Sequence, residues 1–155
     1  MTIELLDLRK VELFSNLIPE HLKLVQGIVE ELQHPAGHKI FADGDPADRF
    51  YFIVQGKVRI SKMIPGIGEE ALAILEKGAY FGEMALIDEA PRSADAICNS
   101  SVTLGSLQKG AFEDLLFMHK DLAYDLLWTF VRTLSGRLRE NNEKMRAFLA
   151  MAGGF

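Results

Sequence analysis

Glu83, Arg92 and Ser93 are the side chains of this sequence whose types and spacing could hold a small anion. They stand in one stretch, Phe81-Gly-Glu-Met-Ala-Leu-Ile-Asp-Glu-Ala-Pro-Arg-Ser-Ala94. Its Ala and Met content favours a single helical turn. A turn beginning at Gly82 would aim the N–H groups of Met84 and Ala85 at whatever lies before it, as helix starts do for anions. Gly82 lacks a Cβ and so admits close backbone approach. Pro91 fixes the direction of the chain, letting the Arg92 guanidinium return to the same point. Arg suits a phosphate because its fork donates two parallel hydrogen bonds and stays charged. Ser93 adds a hydroxyl donor. Glu83 cannot bind phosphate, but it can accept from a sugar hydroxyl and pair with Arg92. The ligand that satisfies the whole set is a sugar phosphate with one negative charge and a free hydroxyl. The chemistry implied is binding, not catalysis.

Three regions must position that stretch. Residues 5–32 read as helical: Leu8, Val11 and Leu13 precede a break at 15–19, and Leu22, Val25, Ile28, Val29 and Leu32 then recur at helical period. Pro19 is tolerated near a helix start. Residues 33–110 read as short strands over 40–41, 50–54, 58–63, 71–75, 94–98 and 102–107, separated by Gly, Pro, Asp and Asn turns. Many short strands at close spacing suggest a sandwich, a jelly roll or a small barrel. Residues 110–150 are helical again. There Tyr124, Leu127, Val131, Leu134, Leu138, Asn141, Met145 and Phe148 alternate spacings of three and four, a heptad seam. A helix of ~1.5 Å rise per residue over that length outruns a small barrel. Part of it is expected to pair with a second copy. The tail 152–155 is expected to fray.

The stretch from Phe81 to Ala94 resembles the phosphate-binding cassette of the cyclic nucleotide-binding domain family, which includes the catabolite activator proteins and the regulatory subunits of cAMP-dependent protein kinase. The likeness extends to Gly37-His-Lys-Ile-Phe41, Gly44-Asp-Pro-Ala-Asp48, Phe50-Tyr-Phe-Ile-Val-Gln-Gly-Lys-Val58 and Arg137-Leu-Arg-Glu-Asn-Asn-Glu-Lys144. It implies a mainly β fold with flanking helices: an antiparallel, jelly-roll-like β-roll with N-terminal helices and a long C-terminal helix. It also implies roles. Gly82 and Glu83 would hold the ribose 2′-hydroxyl, Met84 and Ala85 would offer N–H groups, and Arg92 and Ser93, with Ala94 beside them, would grip the cyclic phosphate. Ile60, Leu72 and Ala73 match positions that wall the ribose and base. Asn141 and Asn142 match the helix stretch that reaches the base in the activators. Ser93 reads either as a phosphate donor indifferent to the base or as a contact that favours guanine. Asn141 reads either as a base contact or as a polar residue fixing the register of the seam. The expected ligand is cAMP or cGMP, with a cyclic dinucleotide also open. The expected partners are a second copy and an effector protein. No helix-turn-helix follows the long helix, so a receptor domain without a fused effector is expected.

Composition bounds the alternatives. The 155 residues carry 17 Lys and Arg against 22 Asp and Glu, a formal net charge of −5, which argues against general nucleic-acid affinity. The single cysteine, Cys98, excludes an internal disulfide framework. No apolar run approaches a membrane span and no secretory leader is evident, so a soluble cytoplasmic protein is expected. A metal-dependent cupin enzyme would need clustered His ligands; His21, His34, His38 and His119 lack the paired spacing. No cofactor and no enzymatic activity are expected. Asp43 to Asp48 reads as a solvated turn, its carboxylate series ending too soon for a calcium loop. The contrasting reading of the whole chain is a protein-interaction scaffold that keeps the fold without nucleotide control.

Overall fold

The computed structural model describes residues 3–153. The chain opens with α1 (Leu5–Arg9), a 3-10 turn at Glu12–Phe14 and α2 (Pro19–Gln26), with Pro19 at the first helical position of α2. Eight strands follow: β1 (Glu30–His34), β2 (Lys39–Phe41), β3 (Arg49–Gln55), β4 (Val58–Ile64), β5 (Gly68–Leu75), β6 (Tyr80–Phe81), β7 (Asp95–Cys98) and β8 (Val102–Gln108). They form two four-stranded antiparallel sheets, ordered β1-β8-β3-β6 and β2-β7-β4-β5. This is the mainly β architecture with flanking helices that the sequence led us to expect.

Two strands were not expected. One is β6, and the other is β1: Glu30 to Leu32, expected within a helix that in fact ends at Gln26, begin this strand, which pairs with β8 from Glu30↔Ser106 to His34↔Val102. The spacing of Val29 and Leu32 fits either period. A full ladder with a strand some seventy residues distant outweighs the local preference.

Two apolar clusters hold the layers together. One joins the N-terminal helices and the C-terminal helices to the outer face of β3: Leu8, Phe14, Leu22, Phe50, Phe52, Phe112, Leu122 and Leu126 lie in it. The other fills the space between the sheets, with Tyr51, Ile53, Val58, Phe81, Ala96 and Leu104. Successive residues of β3 serve alternate clusters, as strand periodicity requires. Fully burying each Phe contributes about 1.5–3 kcal/mol. Gly105 of β8 faces the Phe52 ring across the pair, where any Cβ would overlap it.

After β8 the chain runs through α3 (Lys109–Met118), breaks at His119, and continues as α4 (Lys120–Gly153), a single helix of 34 residues. Only Leu122, Leu126 and Phe130, three turns of one face, are buried. A second stripe is bare: Tyr124, Leu127, Val131, Leu138, Met145 and Phe148 are each more than half exposed. Of the tail expected to fray, Ala152 and Gly153 continue α4, and 154–155 lie outside the described residues.

Candidate functional site

Between β6 and β7 the chain leaves the sheets. Gly82 takes φ +77°, in the left-handed region, and starts a 3-10 turn over Glu83–Leu86. That is the helical turn expected in this stretch, but its donors are not all free. The Ala85 N–H bonds to the Gly82 carbonyl at 3.3 Å within the turn, so only part of the expected N–H array faces outward. The turn, the following loop and the inner faces of β2, β4 and β5 enclose a cavity of about 460 Å³, within the size range of small-ligand sites.

Arg92 is the centre of this cavity's polar side. It is 6% exposed. Its Nη1 donates to the Gly82 carbonyl at 3.1 Å and its Nη2 to the Arg49 carbonyl at 2.5 Å. The guanidinium carbon sits 4.1 Å from the centroid of the Phe41 ring. Its Nε has no partner, and no carboxylate among the described residues stands within ion-pair distance. Burial pulls the guanidinium below its ordinary range, the through-space influence of Tyr51, Asp48 and Asp45 opposing that pull. A desolvated cation with only carbonyls and a ring for company is a site for an anion. Gly82 suits this place because its φ of +77° strains any side chain, and a Cβ there would stand 2.7 Å from Arg92 Nη1 and displace it.

The sequence led us to expect a Glu83–Arg92 pair, and the structure corrects this: the Glu83 carboxylate pairs with Arg137 of α4. Glu83 is 5% exposed, whereas the Arg137 side chain is half exposed and packs 5.8 Å from the Tyr80 ring centroid. Burial lowers the Arg137 guanidinium, but the hydrogen bond and charge of Glu83 outweigh it, and the net displacement is upward. A carboxylate has about four acceptor positions, so one held by Arg137 keeps room for a further donor.

Of the residues expected at the site, Gly82, Glu83, Met84, Ala85, Arg92, Ser93, Ala94, Ile60 and Ala73 line the cavity together. Three do not. Leu72 is the extra residue of a bulge in β5, since Ile60 pairs with Ala73 but Ser61 with Ala71, and its side chain points to solvent. Ala73 and Leu75 take the cavity wall instead. Asn141 and Asn142 are exposed on α4, at least one turn beyond Arg137, the α4 residue that does reach the cavity. Phe41, Tyr80, Phe81 and Arg137 also line it, and the sequence had not singled them out. An Arg in the helix stretch already likened to the family was the available signal for Arg137.

The turn at 43–45, expected to be merely solvated, backs the cassette. The Gly44 N–H donates to the Arg92 carbonyl and the Arg92 N–H to the Asp45 carbonyl, both at 2.8 Å, and the Asp43 N–H donates to Asp95 Oδ1 at 2.7 Å. The histidines are dispersed: His21 bonds Asp121 Oδ2 at 3.0 Å, and His34 stacks on His38. No group of three potential metal ligands exists among the described residues, and no helix among them is long and apolar enough to cross a membrane.

The sequence matches the cyclic nucleotide-binding domain profile over residues 31–119, from β1 through α3. The chain belongs to that family. It is 29% identical, over 89% of its length, to a CRP-like cAMP-activated global transcriptional regulator of Mycobacterium tuberculosis, of which it spans 60%. It is 35% identical, over 70% of its length, to a cAMP-dependent protein kinase regulatory subunit of Hypocrea atroviridis, of which it spans 22%. The crystal structure of the N-terminal domain of a Streptomyces coelicolor transcriptional regulator superposes with a TM-score of 0.77 at 31% identity, covering 90% of this chain and 94% of that one. This cyclic nucleotide-binding domain thus spans less than two thirds of the length of either curated relative. The relatives are regulators. In this domain Arg92, Ser93 and the Gly82–Leu86 turn stand in the segment between β6 and β7.

Proposed function

We propose that this domain binds a cyclic mononucleotide, cAMP before cGMP, and performs no chemistry on it. The observation that carries the reading is Arg92: a buried guanidinium with an unpartnered Nε and no carboxylate, at the wall of a 460 Å³ cavity. A cyclic phosphate diester supplies the single negative charge that this cation lacks. Ser93 adds a hydroxyl from the same wall. Glu83, held by Arg137, accepts the ribose 2′-hydroxyl, and the apolar side chains of Ile60, Ala73 and Leu75 receive the sugar and base. The names of the kinase and activator relatives, cAMP-dependent and cAMP-activated, favour adenine over guanine.

Occupancy passes to α4 through the Glu83–Arg137 pair, the one side-chain bond between residues 81–94 and α4 among the described residues. A ligand donor at Glu83 changes the energy of that pair, and so shifts α4 between arrangements by its differential affinity. The bare stripe from Tyr124 to Phe148 joins a second copy in a two-fold dimer, and an effector protein reads the outcome. Calorimetric titration with cAMP, cGMP and 5′-AMP tests the binding; saturable heat for a cyclic nucleotide and none for 5′-AMP is expected. A folded protein that gives no heat with either cyclic nucleotide refutes the reading and leaves the scaffold interpretation. Sedimentation of wild type and of a Leu134→Glu, Leu138→Glu double variant tests the dimer, which the variant should lose.

A further inference from the structure

The Ser93 carbonyl accepts a hydrogen bond from Lys62 Nζ at 3.2 Å, and that ammonium also stands 3.7 Å from Asp43 Oδ2. Lys62 lies on β4 but is not among the residues that line the cavity; Ser93 and Ala94 are. The Ser93 carbonyl is therefore held from behind. In a trans peptide the N–H points opposite to the carbonyl, so a Ser93 carbonyl turned to Lys62 sends the Ala94 N–H to the other side. Among the described residues that N–H makes no backbone hydrogen bond, although the neighbouring backbone groups of Arg92 are both engaged by the 43–45 turn. Asp43, which balances Lys62, is itself fixed through its N–H to the buried carboxylate of Asp95, and Lys39 lies 3.8 Å from the same carboxylate. The result is a polar brace running from β4 through the 43–45 turn to β7, with the Ser93 peptide at its centre.

We infer that Lys62 is a positioning residue of the phosphate grip. From outside the cavity it orients the Ser93–Ala94 peptide, so that the Ser93 hydroxyl and the Ala94 N–H meet the same exocyclic oxygen of a bound cyclic phosphate, while Arg92 serves the other. This rests on the nucleotide reading above and adds to it a residue that does not touch the ligand. Its charge is balanced by Asp43, so it acts through geometry and not as a second phosphate cation.

The test uses Lys62→Met, which keeps the length and loses the donor, and Lys62→Arg, which restores a donor. The probes are cAMP and its two phosphorothioate diastereomers, in which sulfur replaces one or the other exocyclic oxygen. Wild type should discriminate between the diastereomers. Lys62→Met should bind cAMP about three- to tenfold more weakly, at most one tenfold step of about 1.4 kcal/mol, and should narrow the diastereomer ratio by about threefold or more. Lys62→Arg should recover both. A general loss of stability would weaken both diastereomers alike and leave the ratio unchanged. Amide hydrogen exchange over 92–95 without nucleotide should quicken in Lys62→Met and not in Lys62→Arg. An unchanged ratio with unchanged exchange would overturn the inference while leaving nucleotide binding intact. Altered exchange in a protein whose wild type binds no cyclic nucleotide would overturn the nucleotide reading, and with it the role assigned to Lys62.

Discussion

Replacing Arg92 by Ala should damage the domain twice, once in its fold and once in its ligand affinity, and the two losses can be worked separately. In the fold, the guanidinium satisfies the Gly82 and Arg49 carbonyls and stacks on Phe41. Hydrogen bonds to a charged donor contribute about 1.5–3 kcal/mol each, and the ring contact about 0.5–2 kcal/mol. Against this stands the cost of keeping a cation desolvated, visible in the downward pull on its pKa. A net loss of about 2–4 kcal/mol follows once that cost is set against the three contacts. For a chain of this size it lowers Tm by roughly 4–16 °C, leaving a folded protein. In binding, loss of one charge-assisted hydrogen bond to phosphate should weaken cyclic nucleotide affinity about ten- to 150-fold. Differential scanning calorimetry gives the first number, and isothermal titration well below the variant's Tm gives the second. Arg92→Lys should fall between, since an ammonium keeps the charge but cannot reach both carbonyls as a fork. A folded Ala variant that binds within about threefold of wild type would show that the phosphate sits elsewhere. An unchanged Tm would show that the cassette does not depend on the guanidinium for its shape.

Two further outcomes follow from particular residues. Gly82→Ala forces a Cβ into the left-handed region and to 2.7 Å from Arg92 Nη1; the conformational part alone costs about 1–2 kcal/mol, and the displaced guanidinium should lower nucleotide affinity as Arg92→Ala does. Wild-type affinity in Gly82→Ala would contradict the packing described. His34 and His38 stack with ring centroids 3.9 Å apart, and burial first, then the charge of His38, holds His34 below its ordinary value. Below its ordinary value of about 6.5 the unfolded chain therefore binds more protons than the folded one. Stability should fall as pH drops from there through the lowered value and level off below it. Thermal denaturation between about pH 7.5 and about pH 5 should show that decline reduced in His34→Gln, which removes the titrating group, and equal declines would remove His34 as its source.

The cassette was legible because it is local. Gly82, Glu83, Arg92 and Ser93 lie within a dozen residues, and a turn with a proline before the Arg is enough to bring them to one cavity. What stayed hidden was set by distant partners. Glu83 takes Arg137, 54 positions away, because α4 passes the cavity mouth at that turn and not at Asn141. The bulge that turns Leu72 outward depends on its pairing with β4 and carries no mark in β5 itself. Glu30 to His34 contain one apolar residue, Leu32, and their strand state is decided by β8. The Asp43–Asp45 turn looked like solvent-exposed linker since its bonds to Arg92 and Asp95 are made by its backbone groups, which residue types do not announce.

The anchoring of α4 has a mechanical consequence. Its last buried side chain is Phe130, which meets the Tyr80 ring edge-on at 6.0 Å. Tyr80 immediately precedes Phe81 and Gly82 at the cavity. The helix beyond this pivot, through Gly153, is about 34 Å long at ~1.5 Å per residue. It is a lever with a short inner arm and a long outer one. A tilt of about 10° at Phe130 would carry the far end through roughly 6 Å over that length. A shift of about 2–3 Å at the start of α4, about 15 Å inside the pivot, is thereby converted into a displacement as large as a full helical turn, with Arg137 placed two turns out along the moving arm.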